Sequence, residues 1–117
     1  AFCGAVSAGY ACGAAITYML GGNFNQIANT IINTLANTSG IICDGAKPSC
    51  AAKISSALDA ALLAHTMSMH DDVFHADEGI VKDDLEKTIR AVGYIGREGM
   101  KSTDIEVLNI MIDKVCP

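Results

Sequence analysis

Basic charge is scarce in this sequence: eight Lys and Arg face thirteen Asp and Glu, giving a formal charge of -5 and a pI near 4.9. No basic block is present, which argues against nucleic acid as a partner and disfavours docking on an anionic membrane. A long apolar run is missing too. Residues 1–20 and 51–69 are the most apolar segments, yet Gly, Ser, Thr, Asp and Lys interrupt both within the roughly 20 residues a membrane-crossing helix needs. Strict alternation of apolar and polar residues, the mark of a half-buried strand, survives nowhere. The five cysteines, at 3, 12, 43, 50 and 116, form neither CxxC pairs nor the compact runs of ferredoxins. An odd number would leave one thiol unpaired in any disulfide framework, so reduced thiols in a cytoplasmic protein are the better reading.

What is present is helical periodicity. Half of the 117 residues are apolar, enough to bury one modest core. Residues 1–20 carry Gly4, Ala5, Ala8, Gly9, Cys12 and Gly13 at helix spacing, a smooth face suited to close helix packing or to a bulky cofactor. Gly21-Gly22 ends that helix and Asn23 caps the next. Phe24, Ile27, Ile31 and Leu35 then recur at three- and four-residue steps. Beside them Asn25, Asn29, Asn33 and Asn37 form a stripe of amides, either a solvated face or, with Ser39, the lining of a polar cleft. Ser39-Gly40 closes this second helix. A third, alanine-rich, runs from Pro48 to about Met69. Asp83-x-x-Glu86 reads as the capping start of a fourth that ends at Gly96 or Gly99, and Thr103-x-x-Glu106 as the start of a fifth that continues to Cys116-Pro117. The expectation is one all-α domain over residues 1–117, a compact bundle of about five helices with short connections.

Between the second and third helices lies IICDGAKPSC, residues 41–50, and the chain is organised around it. Asp44, Gly45, Ala46, Lys47 and Pro48 are too rich in turn formers for helix or strand. Pro48 suits the first helical position, where its missing N–H has no intrahelical partner. Cys50 then falls in the first turn, where free N–H groups and the helix dipole favour a thiolate. Elsewhere, His65 on an alanine-rich face reads as a satisfied core histidine. His70, Asp71, Asp72 and His75 read as a solvated connection, with a divalent-metal site as the alternative.

The segment SGIICDGAKPSCAAKISSALDAALLA resembles the hallmark of the iron–sulfur L-serine dehydratase alpha-chain-like family, in particular its L-cysteine desulfidase branch. The opening CGAVSAGYACGAAITYMLGG and the later EGIVKDDLEKTIRAVGYIGREGM resemble its flanks, so the likeness covers nearly the whole chain. The resemblance implies that Cys3, Cys43 and Cys50 hold a [4Fe–4S] cluster. One iron would stay open as a Lewis acid for an L-cysteine or L-serine substrate. Such enzymes remove sulfide or water and release pyruvate and ammonia without pyridoxal phosphate.

Around the loop, backbone N–H groups near Gly45 suit cluster sulfides or a substrate carboxylate, and Lys47 suits that carboxylate. Ser39, Gly40 and Asp44 complete the expected substrate contacts. Cys12 is the rival ligand, read first as a small buried residue of the first helix. Cys116 is read as an unpaired terminal thiol, with a resting-state contact to the open iron as the alternative. No residue stands out as the base for the α-proton. Family members are several times longer, so the chain reads as a C-terminal, cluster-binding fragment of a dehydratase or desulfidase. It would be inactive alone, completed by the rest of the enzyme or a partner subunit, and prone to self-association. Two other readings compete: a metal-free helical interaction subunit, and a zinc module built from Cys43, Cys50 and a histidine.

Overall fold

Small residues set the geometry of the fold. Gly9 on α1 (Gly4–Met19) faces Ala57 on α3 (Pro48–Met69) so closely that a Cβ at Gly9 would stand 2.9 Å from the Ala57 carbonyl oxygen. One turn on, a Cβ at Gly13 would stand 3.1 Å from both the Ala61 methyl and the Thr30 methyl. The second of these belongs to α2 (Phe24–Thr38), so all three helices meet at this seam. The smooth face of α1 serves helix packing, the first of the two uses its sequence suggested. The computed structural model describes residues 2–115. In that range the fold is all α, apart from one isolated antiparallel bridge between Phe2 and Ile42. A shorter α4 (Leu85–Tyr94) lies against α2, passes through a π-helical turn at Ile95–Gly99, and continues as α5 (Lys101–Met111).

The helix ends follow local chemistry. Asn23 and Gln26 form a reciprocal capping box, each side chain accepting the other's backbone N–H at 2.9 Å. At the other end of α1, Gly21 is left-handed at φ 84°, and Gly22 N–H reaches back to Thr17 O at 2.8 Å. This is the stop that glycine permits most readily. Asp71 plays the same part after α3, at φ 58°, with Asp72 N–H donating to Met67 O at 2.9 Å.

Three expectations need correction. Asp84 rather than Asp83 caps α4, accepting from Lys87 N–H at 2.7 Å, while Asp83 pairs with the Lys87 ammonium. The helix expected from Thr103 begins at Lys101 with no side-chain cap, because the π-turn feeds straight into it through Met100 N–H to Ile95 O at 3.0 Å. It also stops at Met111 instead of running on to Cys116-Pro117, because Asp113 turns left-handed at φ 55° and Lys114 N–H closes on Asn109 O. Cys116 and Pro117 lie outside the described residues.

Small and hydroxylated residues make up much of what is buried. Alanines 57, 60, 61 and 64 are buried with Thr17, Thr30, Thr34, Thr38 and Thr88, whereas Ile54, Leu58, Leu62, Leu63, Ile105 and Leu108 are exposed. Each buried threonine hydroxyl donates to, or lies within 2.7–3.0 Å of, the carbonyl four residues back, so none is orphaned. Val6, Leu35 and Val92 form the larger apolar cluster, with Phe2, Tyr10 and Ile89 against it. His65 sits half-buried with its Nδ1 2.8 Å from the Thr17 hydroxyl, which is itself 2.8 Å from that of Thr30. It is the satisfied histidine its setting suggested. No described helix is long and apolar enough to cross a membrane.

The amide stripe divides. Asn25 and Asn37 are exposed, and Asn37 lines a shallow cleft with Thr38, Ser56 and Asp59 that Ser39 does not join. Asn33 is 1% exposed. Its amide donates to Asp72 O at 3.1 Å and its carbonyl accepts Phe74 N–H at 3.0 Å. The connection after α3 is thereby pinned to α2.

Candidate functional site

The cysteine loop is held from two sides. On one, the Phe2–Ile42 bridge and a Cys3 N–H to Ile41 O bond of 3.1 Å lay the start of the chain beside residues 41–43. Cys3, 4% exposed, forms a small buried cluster with Ala5 and Ala57, and Cys43 packs against it with Ile41. On the other, Lys53 reaches back from the second turn of α3. Its ammonium donates to Ile42 O at 2.8 Å and to Asp44 Oδ1 at 2.5 Å.

That ion pair is the strongest electrostatic feature of the loop. The hydrogen bond from Lys53, with its charge behind it, holds the Asp44 carboxyl below its ordinary value against the opposing pull of burial. Lys53 is raised, first by its bond to Asp44, then by the Asp44 charge and by Cys3 and Cys43 nearby, against partial burial. A depressed carboxyl stabilises the fold above its unfolded value, roughly pH 4, and loses that contribution as pH falls through the folded value. A raised ammonium stabilises below roughly pH 10.4 and loses that contribution on going higher. The fastening is therefore constant through neutral pH. A carbon-detected NMR titration should place the Asp44 midpoint below the ordinary carboxylate value; a midpoint at or above it would remove the pair in solution.

The residues expected to form a site are only partly brought together. Cys3, Cys43 and Asp44 are brought together around Lys53, a residue the sequence did not single out. Cys50 is half-buried in the first turn of α3, on the same face as Lys53 and Ala57 at three- and four-residue steps. Gly40 lines an open cleft of about 500 Å³ with Ile42, Ser49 and Lys53. Gly45, at φ 91°, makes the turn that leads to Lys47, the residue preceding α3. Lys47 is exposed and makes no side-chain cap, and Ser39 is the half-buried C-cap of α2. Cys12, expected to be buried, is instead exposed on α1, roughly two and a half turns from Cys3, because the face of α1 that meets α3 is the one with Gly9 and Gly13.

The histidines and acids after α3 do not converge. His70 Nδ1 lies 2.9 Å from Thr66 O, Asp71 is 3.4 Å from the Gln26 amide, and His75 N–H donates to Glu78. Among the described residues no three His, Cys, Asp or Glu groups are placed to hold a single metal ion. This removes support from the zinc module. A cubane cluster makes a different demand, since each cysteine binds a separate iron and the thiols need only border one cluster-sized space. The donor chemistry is of the right kind: three soft thiols, two at one buried cluster beside a cation, the third in the first turn of α3.

A family model described as serine dehydratase alpha chain matches residues 1–109. A UPF0597 protein of Treponema denticola is 57% identical over 112 residues, 96% of this chain and 26% of that protein. Another, of Finegoldia magna, is 54% identical over 114 residues, 97% of this chain and 27% of that protein. A third, of Bacteroides thetaiotaomicron, is 43% identical over 114 residues, with the same two shares of 97% and 27%. The chain thus spans about a quarter of the length of the curated relatives it matches. No solved structure matches it.

Proposed function

The chain belongs to the serine dehydratase alpha-chain family, and from that premise we propose that it is the cysteine-bearing part of a lyase acting on L-cysteine or L-serine. The observation that carries the reading is the packing of Cys43 against the buried Cys3 cluster, with Lys53 beside both. In this reading Cys3, Cys43 and Cys50 hold a [4Fe–4S] cluster. When bound, the cluster would supply an open iron as a Lewis acid for the substrate.

The protein's own residues do the rest. The Phe2–Ile42 bridge keeps Cys3 beside the loop, and Lys53 holds the segment between Ile42 and Asp44 against α3. Ser39, Gly40, Gly45 and Lys47 shape the approach on which a substrate enters. The reaction breaks the Cα–H bond and the Cβ–S or Cβ–O bond. Water then hydrolyses the resulting enamine, after tautomerisation, to pyruvate and ammonia. The base that takes the α-proton belongs to the remainder of the enzyme, which would cover the exposed apolar side chains of α3 and α5.

Iron and acid-labile sulfide content after anaerobic reconstitution of the full-length protein tests this directly. About four irons per chain are expected in the wild type, and near none in Cys43→Ala. A full-length wild type that takes up no iron would leave the metal-free interaction module as the better description.

A further inference from the structure

A cavity of about 270 Å³ lies between the cysteine loop and α5, lined by Ile42, Asp44, Lys53, Val107, Ile110 and Met111. It is smaller than the roughly 300–1,000 Å³ of drug-sized sites, and its chemistry is sharply divided. One wall is the Lys53–Asp44 pair, whose side chains keep 24% and 42% of their surface exposed. The other is aliphatic. An ammonium has three donors, and those recorded for Lys53 among the described residues go to Ile42 O and Asp44 Oδ1. The capacity for a second anion remains. Ile42 and Asp44 flank Cys43 in the chain, so the cavity lies one residue to either side of a thiol that itself packs against the Cys3 cluster.

Resting on the lyase reading, we infer that this cavity is the amino-acid pocket: Lys53 binds the substrate α-carboxylate, Asp44 its ammonium, and Val107, Ile110 and Met111 confine the β-substituent. A zwitterion presents one charge of each sign a short distance apart, which matches an ion pair that can open to receive it. The aliphatic wall suits a short neutral substituent such as a thiol or hydroxyl, and penalises a charged one, which would lose its hydration there. Lys47, the cation the loop sequence suggested, stands outside the cavity lining. The assignment therefore shifts by six positions, from the loop to the helix.

Equilibrium dialysis of labelled L-serine with the iron-free full-length protein tests the pocket apart from catalysis. Competitors are ethanolamine, which lacks the carboxylate, 3-hydroxypropionate, which lacks the ammonium, and L-phosphoserine, which carries a charged β-substituent. Wild type should prefer L-serine over all three. Lys53→Met should weaken L-serine at least about tenfold and abolish the preference over ethanolamine, with Lys53→Arg retaining most of it. Asp44→Asn should abolish the preference over 3-hydroxypropionate. Met111→Ala should admit longer neutral substituents; α5 buries none of its residues, so the fold should survive the change. Unchanged serine affinity and discrimination in Lys53→Met and Asp44→Asn overturns the inference, as does an iron-free wild type that binds no serine. Pyruvate release by the iron-loaded enzyme reports separately on the lyase reading: its absence with both L-cysteine and L-serine sinks that reading, whatever the dialysis shows.

Discussion

Gly9→Leu is expected to unfold the three-helix core, and Gly9→Ala to cost about 1–2 kcal/mol net. The alanine methyl would stand 2.9 Å from the Ala57 carbonyl oxygen and 3.0 Å from the Ala57 methyl. The oxygen belongs to the backbone of α3 and cannot swing aside. The helices must separate, and burial at Ala57 and Ala61 is lost with the contact. Overpacking of this kind costs about 1–3 kcal/mol, of which the better helix propensity of alanine returns up to about 1. A leucine would force the seam open by a whole side chain, against a total stability of about 5–15 kcal/mol for an ordinary domain. Gly93→Ala makes the same change inside α4, where nothing beyond the adjoining residues and the helix's own backbone lies within 4 Å of the added methyl. It should stabilise by up to about 1 kcal/mol. Urea unfolding of the two alanine variants decides the matter: equal shifts would mean the seam is looser than this geometry.

Asn33→Asp should destabilise by about 2–4 kcal/mol at neutral pH, and less in acid. The amide donates to Asp72 O, and an ionised carboxylate in its place would face that carbonyl oxygen with no proton to offer. The site is 1% exposed, so the introduced carboxyl takes up a proton more readily folded than unfolded. A folded value above the unfolded one means that stability falls as pH rises from roughly 4 through the raised value. Asn33→Ala loses the same bonds without that dependence. Parallel denaturation curves for the two variants between about pH 4 and 8 would show that the pin is not dry.

Which parts of this could be read in advance follows from how far each cause acts along the chain. Asn23, Gly21-Gly22 and Pro48 act within one turn, and the helix limits they imply are the observed ones. The resemblance likewise identified the family that residues 1–109 match. Asn33 was hidden because what buries it, the segment at 72–74, lies some forty residues away in the chain. From the sequence it was indistinguishable from Asn25 and Asn37. Lys53 was hidden among alanines and serines of a helix whose face becomes visible only once the loop folds back onto it. Asp83 and Asp84 differ by one position, below what a capping pattern resolves.

The π-turn at Ile95–Gly99 buries none of its residues, which suggests a stretch indifferent to change. Substitution and deletion differ there. Each residue of an α-helix advances the chain by about 100°, so removing one from the turn would rotate everything after it by that angle. Val107, Ile110 and Met111 would swing away from the loop while every side chain in α5 stayed the same. The spacing of this segment is thus a constraint in its own right: Gly96 apart, where a Cβ would stand 2.7 Å from the Phe2 ring, its letters can vary, but its count sets which flank of α5 the cysteine loop meets.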